Sequence, residues 1–567
     1  MWSRTGAVIL LSVSASIGCE GTIESPSTPP DPNVPDGSLP TFPCETPGRV
    51  DISAVPLARM SREELALSLI ALFGTDLVAA VASQLDAFPD DQLRRSVDDF
   101  SNYFSTAHAR AIVSLSEAIA QRVVGTDATL AALAGNCAIE LAPSAACTEE
   151  FIATFGRRAF RRPITDDEAA MLQDLYAEGS SPREGFELVV MAVLQAPPFL
   201  FHIELEGEET QENAIRKLRV SDDAVAARIS YWTTGGPPDQ ALRDAVDAGT
   251  LSTLEQARAH VERLAQTDAF RVRLTTLFHY FLLESEASEV PRHEAFLSGI
   301  SPDGLQEELF AERDRFVDYV LWDTRGSARD LTLSTAAFPH TDRLANIYGV
   351  SRWVEGSAPP EVSERPGLFL RAASLLQAFA DTSPMRRGAF VRTRILCEEL
   401  PPPPVNAVNA RLAEVHIDPL TQSGRERARL ITEPEGCMSC HSQINPPGFA
   451  LENFDSIGRF RTAERVFDDQ GVLVATHPID PVVTLALGSG NEATVSSPRE
   501  LAELLSNSPQ VIACIAQRAF EVTRRRSPGS TDACVVEDLR DALVNGSIVQ
   551  AFIDQIANDS LFSRRLD

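Results

Sequence analysis

The sequence predicts a mainly α-helical fold built from several stacked helical subdomains. Signals that start helices recur along the chain, apolar residues follow them at helical spacing, and the alternating polarity that would indicate strands is nearly absent. With 567 residues, of which 44% are hydrophobic, the chain is long enough for about three to five compact units, each with a core. This composition excludes a chain that is disordered throughout.

Individual helices are predicted from their N-terminal caps. Ser61 and Glu64 have the spacing of a capping box ahead of an apolar run, and Thr165 and Glu168 repeat it. Ser497 combines an N-cap residue with proline at the first helical position. Further helices are predicted over 148–161, from Ser221 onward, over 253–284 and 303–321 and three times within 509–564, and a short hairpin over 472–483.

One stretch departs from the helical pattern. Residues 382–480 are rich in proline and glycine, with four consecutive prolines at 401–404 and the sequence Asn445-Pro446-Pro447-Gly448. We therefore expect a loop-rich segment. Loops of this length inside a compact protein are usually functional.

The charge of the chain limits its partners. Against 80 acidic residues stand 50 basic ones, which gives a formal net charge of −30. A surface this acidic repels phosphate backbones, so we expect no nucleic-acid partner. No apolar run reaches the roughly 20 residues of a membrane-spanning helix, so we expect contact with a membrane only through a lipid anchor.

The N-terminus predicts export. Arg4 precedes apolar and small residues up to Ile17, a stretch typical of a secretory signal peptide. The stretch ends in Ser16-Ile17-Gly18-Cys19, which resembles a bacterial lipobox with Cys19 as the acylated residue; an ordinary cleaved signal peptide is the alternative. Residues 20–45 are rich in proline and predict a semi-rigid tether. We expect a lipoprotein in the periplasm or on the cell surface.

Nine cysteines are present, and an exported protein is expected to pair most of them. One is assigned to lipid and two to the motif below, which leaves six. Two of these flank a short segment that contains Pro143, and two others lie on consecutive predicted helices. The expected disulfides are Cys137–Cys147, Cys514–Cys534 and, by elimination, Cys44–Cys397.

The residues Cys437-Met438-Ser439-Cys440-His441 have the C-x-x-C-H spacing of c-type haem attachment. On a helix, residues three apart share a face, so both thiols can bond the vinyl groups along one haem edge, and the Nε2 atom of His441 can bind iron. The Nδ1–H group of this histidine needs an acceptor, for which the carbonyl groups around Pro446 and Pro447 are candidates. The motif therefore predicts covalently bound haem c.

Two other interpretations of the motif stay open. A bare C-x-x-C can be a disulfide or a thiol redox pair, in which case His441 is incidental. A zinc site would need further ligands, such as Cys397 or His416.

The second axial ligand of the iron is also open. No methionine follows Met438, so the downstream methionine of small cytochromes is missing. His477 is the first candidate, followed by Met385 and His416. An open iron would suit small-ligand or peroxide chemistry, and a closed one would suit electron transfer.

Residues 437–459 resemble the cytochrome-c-like domain of large exported planctomycete and myxobacterial proteins, which are strings of domains of unknown function. The resemblance implies this architecture and haem at Cys437, Cys440 and His441, but no substrate. Similar motifs occur at 57–64, 155–163, 227–232, 382–388 and 514–534. The expected domains are a signal peptide (1–19), a tether (20–45), helical domains (46–135, 136–205 and 206–380), the cytochrome-c-like domain (381–484) and a C-terminal helical domain (485–567).

Two functions follow as hypotheses. The first is an exported, lipid-anchored c-type haem protein that transfers electrons to a redox partner protein or acts as a haem-dependent oxidoreductase. The second is a cell-surface binding or scaffold protein in which Cys437 and Cys440 form a structural disulfide. No catalytic residue is predicted.

Overall fold

The computed structural model describes residues 58–89, 104–204, 207–212, 215–282, 290–401, 407–468, 470–487, 492–524, 526–529 and 532–565. Over these ranges the chain forms 26 α-helices and nine short strands, which confirms the mainly α-helical class. The predicted signal peptide and tether, with Cys19 and Cys44, lie outside the described residues. None of the helices in the described ranges is long and apolar enough to cross a membrane.

The N-terminal body has its own hydrophobic core, in which Leu69, Leu115 and Phe186 are fully buried. The capping boxes predicted at Ser61 and Thr165 are both present. Strand β1 (Ala58–Arg59) pairs antiparallel with β2 (Phe201–His202). The helices are α1 (Arg62–Phe73), α2 (Thr75–Ala79), α3 (Ala82–Asp86), α4 (Thr106–Val124), α5 (Asp127–Ala134), α6 (Ala145–Phe160), α7 (Asp166–Ala177), α8 (Pro182–Gln195) and α9 (Pro197–Leu200).

The central part begins with the antiparallel strands β3 (Gly207–Glu212) and β4 (Ile215–Val220). The helix predicted over 253–284 is two helices, because Thr267 caps a new one by accepting the N–H of Phe270. The helices are α10 (Asp222–Thr234), α11 (Gln240–Asp247), α12 (Leu254–Leu264), α13 (Asp268–Leu282), α14 (Glu294–Leu297), α15 (Leu305–Asp318), α16 (Ala328–Leu333), α17 (Asp342–Tyr348) and α18 (Ala372–Leu375).

The stretch predicted to be loop-rich contains more regular structure than expected. Helix α19 runs into a π-helical turn at Val391–Ile395, and Asn445-Pro446-Pro447-Gly448 lies inside a helix rather than in a loop. The single hairpin predicted over 472–483 is wrong. The strand Leu473–Pro478 pairs with the preceding strand, Ala463–Phe467, and the strand Val483–Ala486 pairs with the following one, Glu492–Val495. The elements are α19 (Pro384–Phe390), α20 (Ala407–Glu414), α21 (Gly424–Thr432), α22 (Glu435–Ala450), β5 (Ala463–Phe467), β6 (Leu473–Pro478), β7 (Val483–Ala486) and β8 (Glu492–Val495).

The C-terminal part closes the fold. The last strand, β9 (Ser563–Arg565), pairs antiparallel with β4. The three helices predicted within 509–564 are confirmed. One continuous core joins Ile229 of α10, Phe449 of α22 and Ile515 of the C-terminal part, so α22 rests on the main body. The elements are α23 (Pro498–Ser506), α24 (Pro509–Arg524), α25 (Ala533–Asn545), α26 (Ile548–Ile556) and β9 (Ser563–Arg565).

Two disulfides join described cysteines. Cys137 is bonded to Cys147 in the first turn of α6, as predicted. Cys397, directly after the π-helical turn, is bonded to Cys514 in the middle of α24. The second bond links two parts of the chain that are 117 residues apart.

The predicted pairs Cys514–Cys534 and Cys44–Cys397 are therefore wrong. Cys514 lies ten residues before the last residue of α24, which is about 15 Å along a helix, whereas Cys534 is in the first turn of α25. The two helices therefore do not place these sulfur atoms side by side. Cys534 is disulfide-bonded as well.

Candidate functional site

The C-x-x-C-H residues occupy the first two turns of α22. The carbonyl oxygen of Pro434 accepts the N–H groups of Cys437 and Met438, which starts the helix. A turn of 3.6 residues then brings Cys437, Cys440 and His441 to one side. Both cysteines are partly exposed free thiols, so the structural disulfide between them that the alternative function requires is not formed.

His441 is held in a chain of three hydrogen bonds. Its Nδ1 atom lies 3.0 Å from Oδ1 of Asn445, one turn further along α22. Nδ2 of Asn445 donates to Oγ1 of Thr432 over 2.9 Å. The Thr432 hydroxyl donates in turn to the carbonyl oxygen of Ala428 over 2.8 Å. Asn445 and Thr432 are buried, so this chain is shielded from water.

The direction of these hydrogen bonds places the proton on the imidazole. A carbonyl oxygen only accepts, so the Thr432 hydroxyl uses its proton on Ala428 and accepts from Asn445. The Asn445 amide therefore presents its oxygen to His441, which donates through Nδ1–H. In the neutral ring Nε2 is then unprotonated, and it has no hydrogen-bond partner among the described residues. An imidazole in this state is a metal ligand with its outer hydrogen bond already made.

The acceptor of His441 differs from the expected one. The sequence predicted a carbonyl group near Pro446 or Pro447, but the side chain of Asn445 takes this role. Asn445 lies four residues after the histidine, and residues at this spacing are neighbours on a helix, so the sequence alone could have predicted this acceptor. Thr432 belongs to α21, and its position in the sequence does not indicate that it accepts a hydrogen bond from Asn445.

Helix α22 continues through two prolines because an arginine side chain replaces a backbone N–H group that a proline lacks. Pro447 has no N–H group to offer the carbonyl oxygen of Gln443, four residues earlier. Nε of Arg392, in the π-helical turn, donates to that oxygen over 3.0 Å. The same guanidinium donates to Ala486 and pairs with Glu398, so α22 is tied to its surroundings at the proline step.

Two glycines let α19 and α22 pack backbone against backbone. A Cβ atom on Gly388 would lie 1.7 Å from the carbonyl oxygen of Ile444, and one on Gly448 would lie 1.9 Å from that of Pro384. Both distances are far inside van der Waals contact, so only glycine fits at these positions. This contact fixes α22 from the side on which Ile444 is buried.

The C-terminal end of α22 is held by a buried cation. Arg387 of α19 donates to the carbonyl oxygens of Leu451, at 2.9 Å, and of Asp455, at 2.7 Å. A cation is favourable at a helix C-terminus, where unpaired carbonyl groups carry partial negative charge. Burial lowers the pKa of Arg387 to about 10, opposed by the carboxylate of Glu452.

A cavity of about 460 Å³ lies beside His441, within the size range of small-molecule and cofactor sites. Helices α21 and α22 and strand β7 form its walls. Buried Glu464 holds α21 in place, accepting from the N–H of Gly424 and from Arg427. The lining residues that matter below are Arg425, Arg429, His441, Asn445, Phe449 and Val483.

Two arginines of α21 place positive charge on this cavity. Arg425 forms an ion pair with Asp480 at 3.0 Å and lies 4.9 Å from the centre of the Phe449 ring. Burial lowers its pKa, against the effect of Asp480, and the nearby Arg429 lowers it further. Arg429 is exposed, and its guanidinium has no acceptor among the described residues. The cavity thus offers one engaged and one available cation to an anionic group.

The structure does not bring the candidate second ligands to this cavity. Nε2 of His477, on β6, donates to the carbonyl oxygen of Pro419 over 2.8 Å. His416 is exposed, Met385 packs into the main core, and neither lines the cavity. Cys397 is unavailable to a zinc ion because its sulfur is bonded to Cys514.

Four family models match the chain one after another and together cover more than half of it. Each is described as a protein of unknown function: DUF1595 at 147–204, DUF1592 at 220–350, DUF1588 at 365–464 and DUF1585 at 491–562. The chain carries the domain string of the planctomycete-type multidomain family.

Within that family string, DUF1588 and DUF1585 are cytochrome-c-like families. The C-x-x-C-H residues of α22 fall inside the DUF1588 range, and the helices α24–α26 fall inside the DUF1585 range. No curated protein and no solved structure matches the chain.

Proposed function

We propose that this chain is an exported c-type haem protein that transfers electrons or takes part in another redox reaction, with haem attached at Cys437 and Cys440 and ligated by His441. The observation that carries the proposal is the hydrogen bond between Nδ1 of His441 and Oδ1 of Asn445, which leaves Nε2 as the ligand atom of the neutral ring, next to two free thiols on one helix face. The cytochrome-c-like character of the matched DUF1588 family supports it.

The residues present fit a covalently bound haem. The two thiols, three residues apart on a helix, are the nucleophiles that form thioether bonds. The cavity next to His441 is bounded on one side by Phe449 and Val483, which suit the apolar face of a porphyrin. Arg429 is available to pair with a carboxylate of the propionate type.

When bound, the haem would supply one-electron chemistry. The protein's own part is to set the ligand and its surroundings. Asn445 keeps the proton on Nδ1 of His441 and so raises the basicity of Nε2. The contact at Gly448 and the hydrogen bonds from Arg387 keep α22 from shifting.

The proposal includes a location, which is the periplasm or the cell surface. The leader ending at Cys19 supports export and lipid attachment, and the acidic surface supports a protein partner rather than a nucleic acid. The redox partner is proposed as a protein, and membrane contact as the lipid at Cys19 only. Mass spectrometry of the mature N-terminal peptide, compared between the natural chain and Cys19→Ser, tests the anchor.

The haem proposal is tested by expressing the full chain with a c-haem maturation system. We expect a mass increase of about 616 Da for one haem and a Soret band that survives acid-acetone extraction. The variant Cys437→Ser/Cys440→Ser should lose both, while Cys137→Ala/Cys147→Ala, which removes two cysteines elsewhere, should keep them. A matured chain without added mass would overturn the proposal.

Histidine variants test the ligand separately from the attachment. His441→Ala should keep the haem mass but change the visible spectrum, because the thioether bonds stay and the axial ligand is lost. His477→Ala should leave the spectrum unchanged, because this side chain is engaged with Pro419 away from the cavity. A spectrum that responds to His477 and not to His441 would contradict the assignment.

A further inference from the structure

A second cavity, of about 180 Å³, lies where three of the matched domains meet. The end of α6, helix α10 and the C-terminal helices α24 and α25 form its walls. We call it the junction cavity and define it by Phe160, Trp232, Phe520, Arg524, Arg228 and Arg526. It is distinct from the cavity beside His441, with which it shares no lining residue.

Two of the three arginines that define the junction cavity are bound to carboxylates, and the third has no described carboxylate partner. Arg228 donates to both carboxylate oxygens of Glu204, and Arg526 donates to both oxygens of Asp532. Glu204 and Asp532 are thus each bound through both oxygen atoms by a guanidinium, the bidentate arrangement that is strongest for such a pair. Arg524 is left without a carboxylate as a direct partner among the described residues.

Arg524 keeps unused donors on this cavity. Within the described part of the chain, its hydrogen bonds come from Nη2 alone, to the carbonyl oxygen of Gln555 at 3.2 Å and to Oγ of Ser560 at 2.7 Å. Its guanidinium lies 3.7 Å from the centre of the Trp232 ring, which fixes its plane. The N–H groups at Nε and Nη1 have no acceptor among the described residues, so they are available to a ligand.

The environment of Arg524 favours an anion. Burial lowers its pKa to about 9, and the positive charges of Arg228 and Arg526 act in the same direction, against the effect of the Asp532 and Glu204 carboxylates. A bound negative charge would offset this repulsion and the loss of hydration. Beside the cation, the rings of Trp232, Phe160 and Phe520 form an apolar wall.

The junction cavity combines the unused N–H groups of Arg524, an apolar wall and a small volume. We propose that it binds a small organic carboxylate with an apolar body. The carboxylate accepts a hydrogen bond from one of the unused N–H groups of Arg524, at Nη1 or at Nε, and the body lies against Trp232 and Phe520. This site is independent of the proposed haem, because no residue of α22 lines it.

Isothermal titration of the full chain with benzoate tests the proposal, with benzamide as the neutral analogue of the same shape. We expect saturable binding of benzoate and at least about tenfold weaker binding of benzamide, since charge-assisted hydrogen bonds depend on the carboxylate. Equal binding of the two, no binding of either, or binding of inorganic phosphate in preference to benzoate would overturn the proposal.

Variants assign the site. Arg524→Gln should weaken benzoate binding at least about tenfold, whereas Arg292→Gln, which removes the same charge from a side chain that is 80% exposed elsewhere, should leave it unchanged. Equal losses in both variants would indicate unspecific attraction and contradict the site. If Arg524→Gln does not fold, Arg524→Lys keeps the charge, should fold, and should still weaken benzoate binding, because an ammonium group replaces neither the fixed N–H donors of the guanidinium nor its stacking on Trp232; unchanged affinity in that variant would contradict the site.

Discussion

His441 and Asn445 lie four residues apart on one helix, with Nδ1 of the histidine 3.0 Å from the amide oxygen of the asparagine. The asparagine is oriented from a second helix, through the hydroxyl of Thr432. The tautomer of His441 is therefore set by a neighbouring element rather than by the C-x-x-C-H motif itself. This relationship gives the first prediction.

Changing the acceptor of His441 should shift the midpoint potential of the bound haem without releasing it. Asn445→Asp strengthens the acceptor, makes the imidazole a stronger electron donor and should lower the potential, while Asn445→Leu removes the acceptor and should raise it. Redox titration followed by visible absorbance measures both. Gln443→Ala, which changes an exposed neighbour on the same helix that does not line the cavity, is the control. Shifts of the same sign in both variants would contradict the mechanism.

Gly448→Ala should destabilise the protein by about 2 kcal/mol or more, because the new methyl group would overlap the carbonyl oxygen of Pro384. Gly436→Ala is the matched control on the same helix, since no atom lies within 4 Å of its added Cβ. That variant should be neutral or slightly stabilising. Urea denaturation monitored by circular dichroism checks both, and similar stabilities of the two variants would show that the helices are not in close contact.

Removing the Cys397–Cys514 disulfide should cost more stability than removing Cys137–Cys147. The first closes a loop of 117 residues and the second one of 10. The chain-entropy relation predicts a difference of about 2 kcal/mol between the two double alanine variants. Differential scanning calorimetry compares their melting temperatures. A larger loss in the Cys137→Ala/Cys147→Ala variant would contradict this account.

Glu168 should contribute stability at neutral pH that disappears in acid. Hydrogen bonds from Arg162 hold the pKa of this carboxyl below its usual 4.5. Because the pKa is lower in the folded state, the contribution is complete above that value and is lost as the pH falls below it. Glu168→Gln keeps a side chain that suits the capping box but removes the charge.

The stability difference between the natural chain and Glu168→Gln should be about 1 kcal/mol at pH 7 and close to zero at pH 3. Urea denaturation at the two pH values measures it. A difference that does not change with pH would show that the charge of Glu168 plays no part. Glu178→Gln, which removes a carboxylate at the other end of the same helix, is the control.

Local patterns were sufficient wherever neighbouring residues decide the structure. The capping boxes at Ser61 and Thr165 start helices where the sequence predicts them, because a cap involves only residues three apart. The same reasoning placed Cys437, Cys440 and His441 on one helical face. It failed at Pro446 and Pro447, where the donor that lets the helix continue comes from Arg392, more than 50 residues away.

The sequence by itself determined the helical class, the helix starts and the spacing of the two thiols and the imidazole, since all of these depend on short-range geometry. Only the tertiary structure decided that Cys397 bonds Cys514, that Thr432 orients Asn445, and that Arg524 faces a cavity with no described carboxylate hydrogen-bonded to it. Each of these depends on which helix surfaces meet. That is set by the packing of the whole core, such as the contact at Gly388 and Gly448, and no local pattern encodes it.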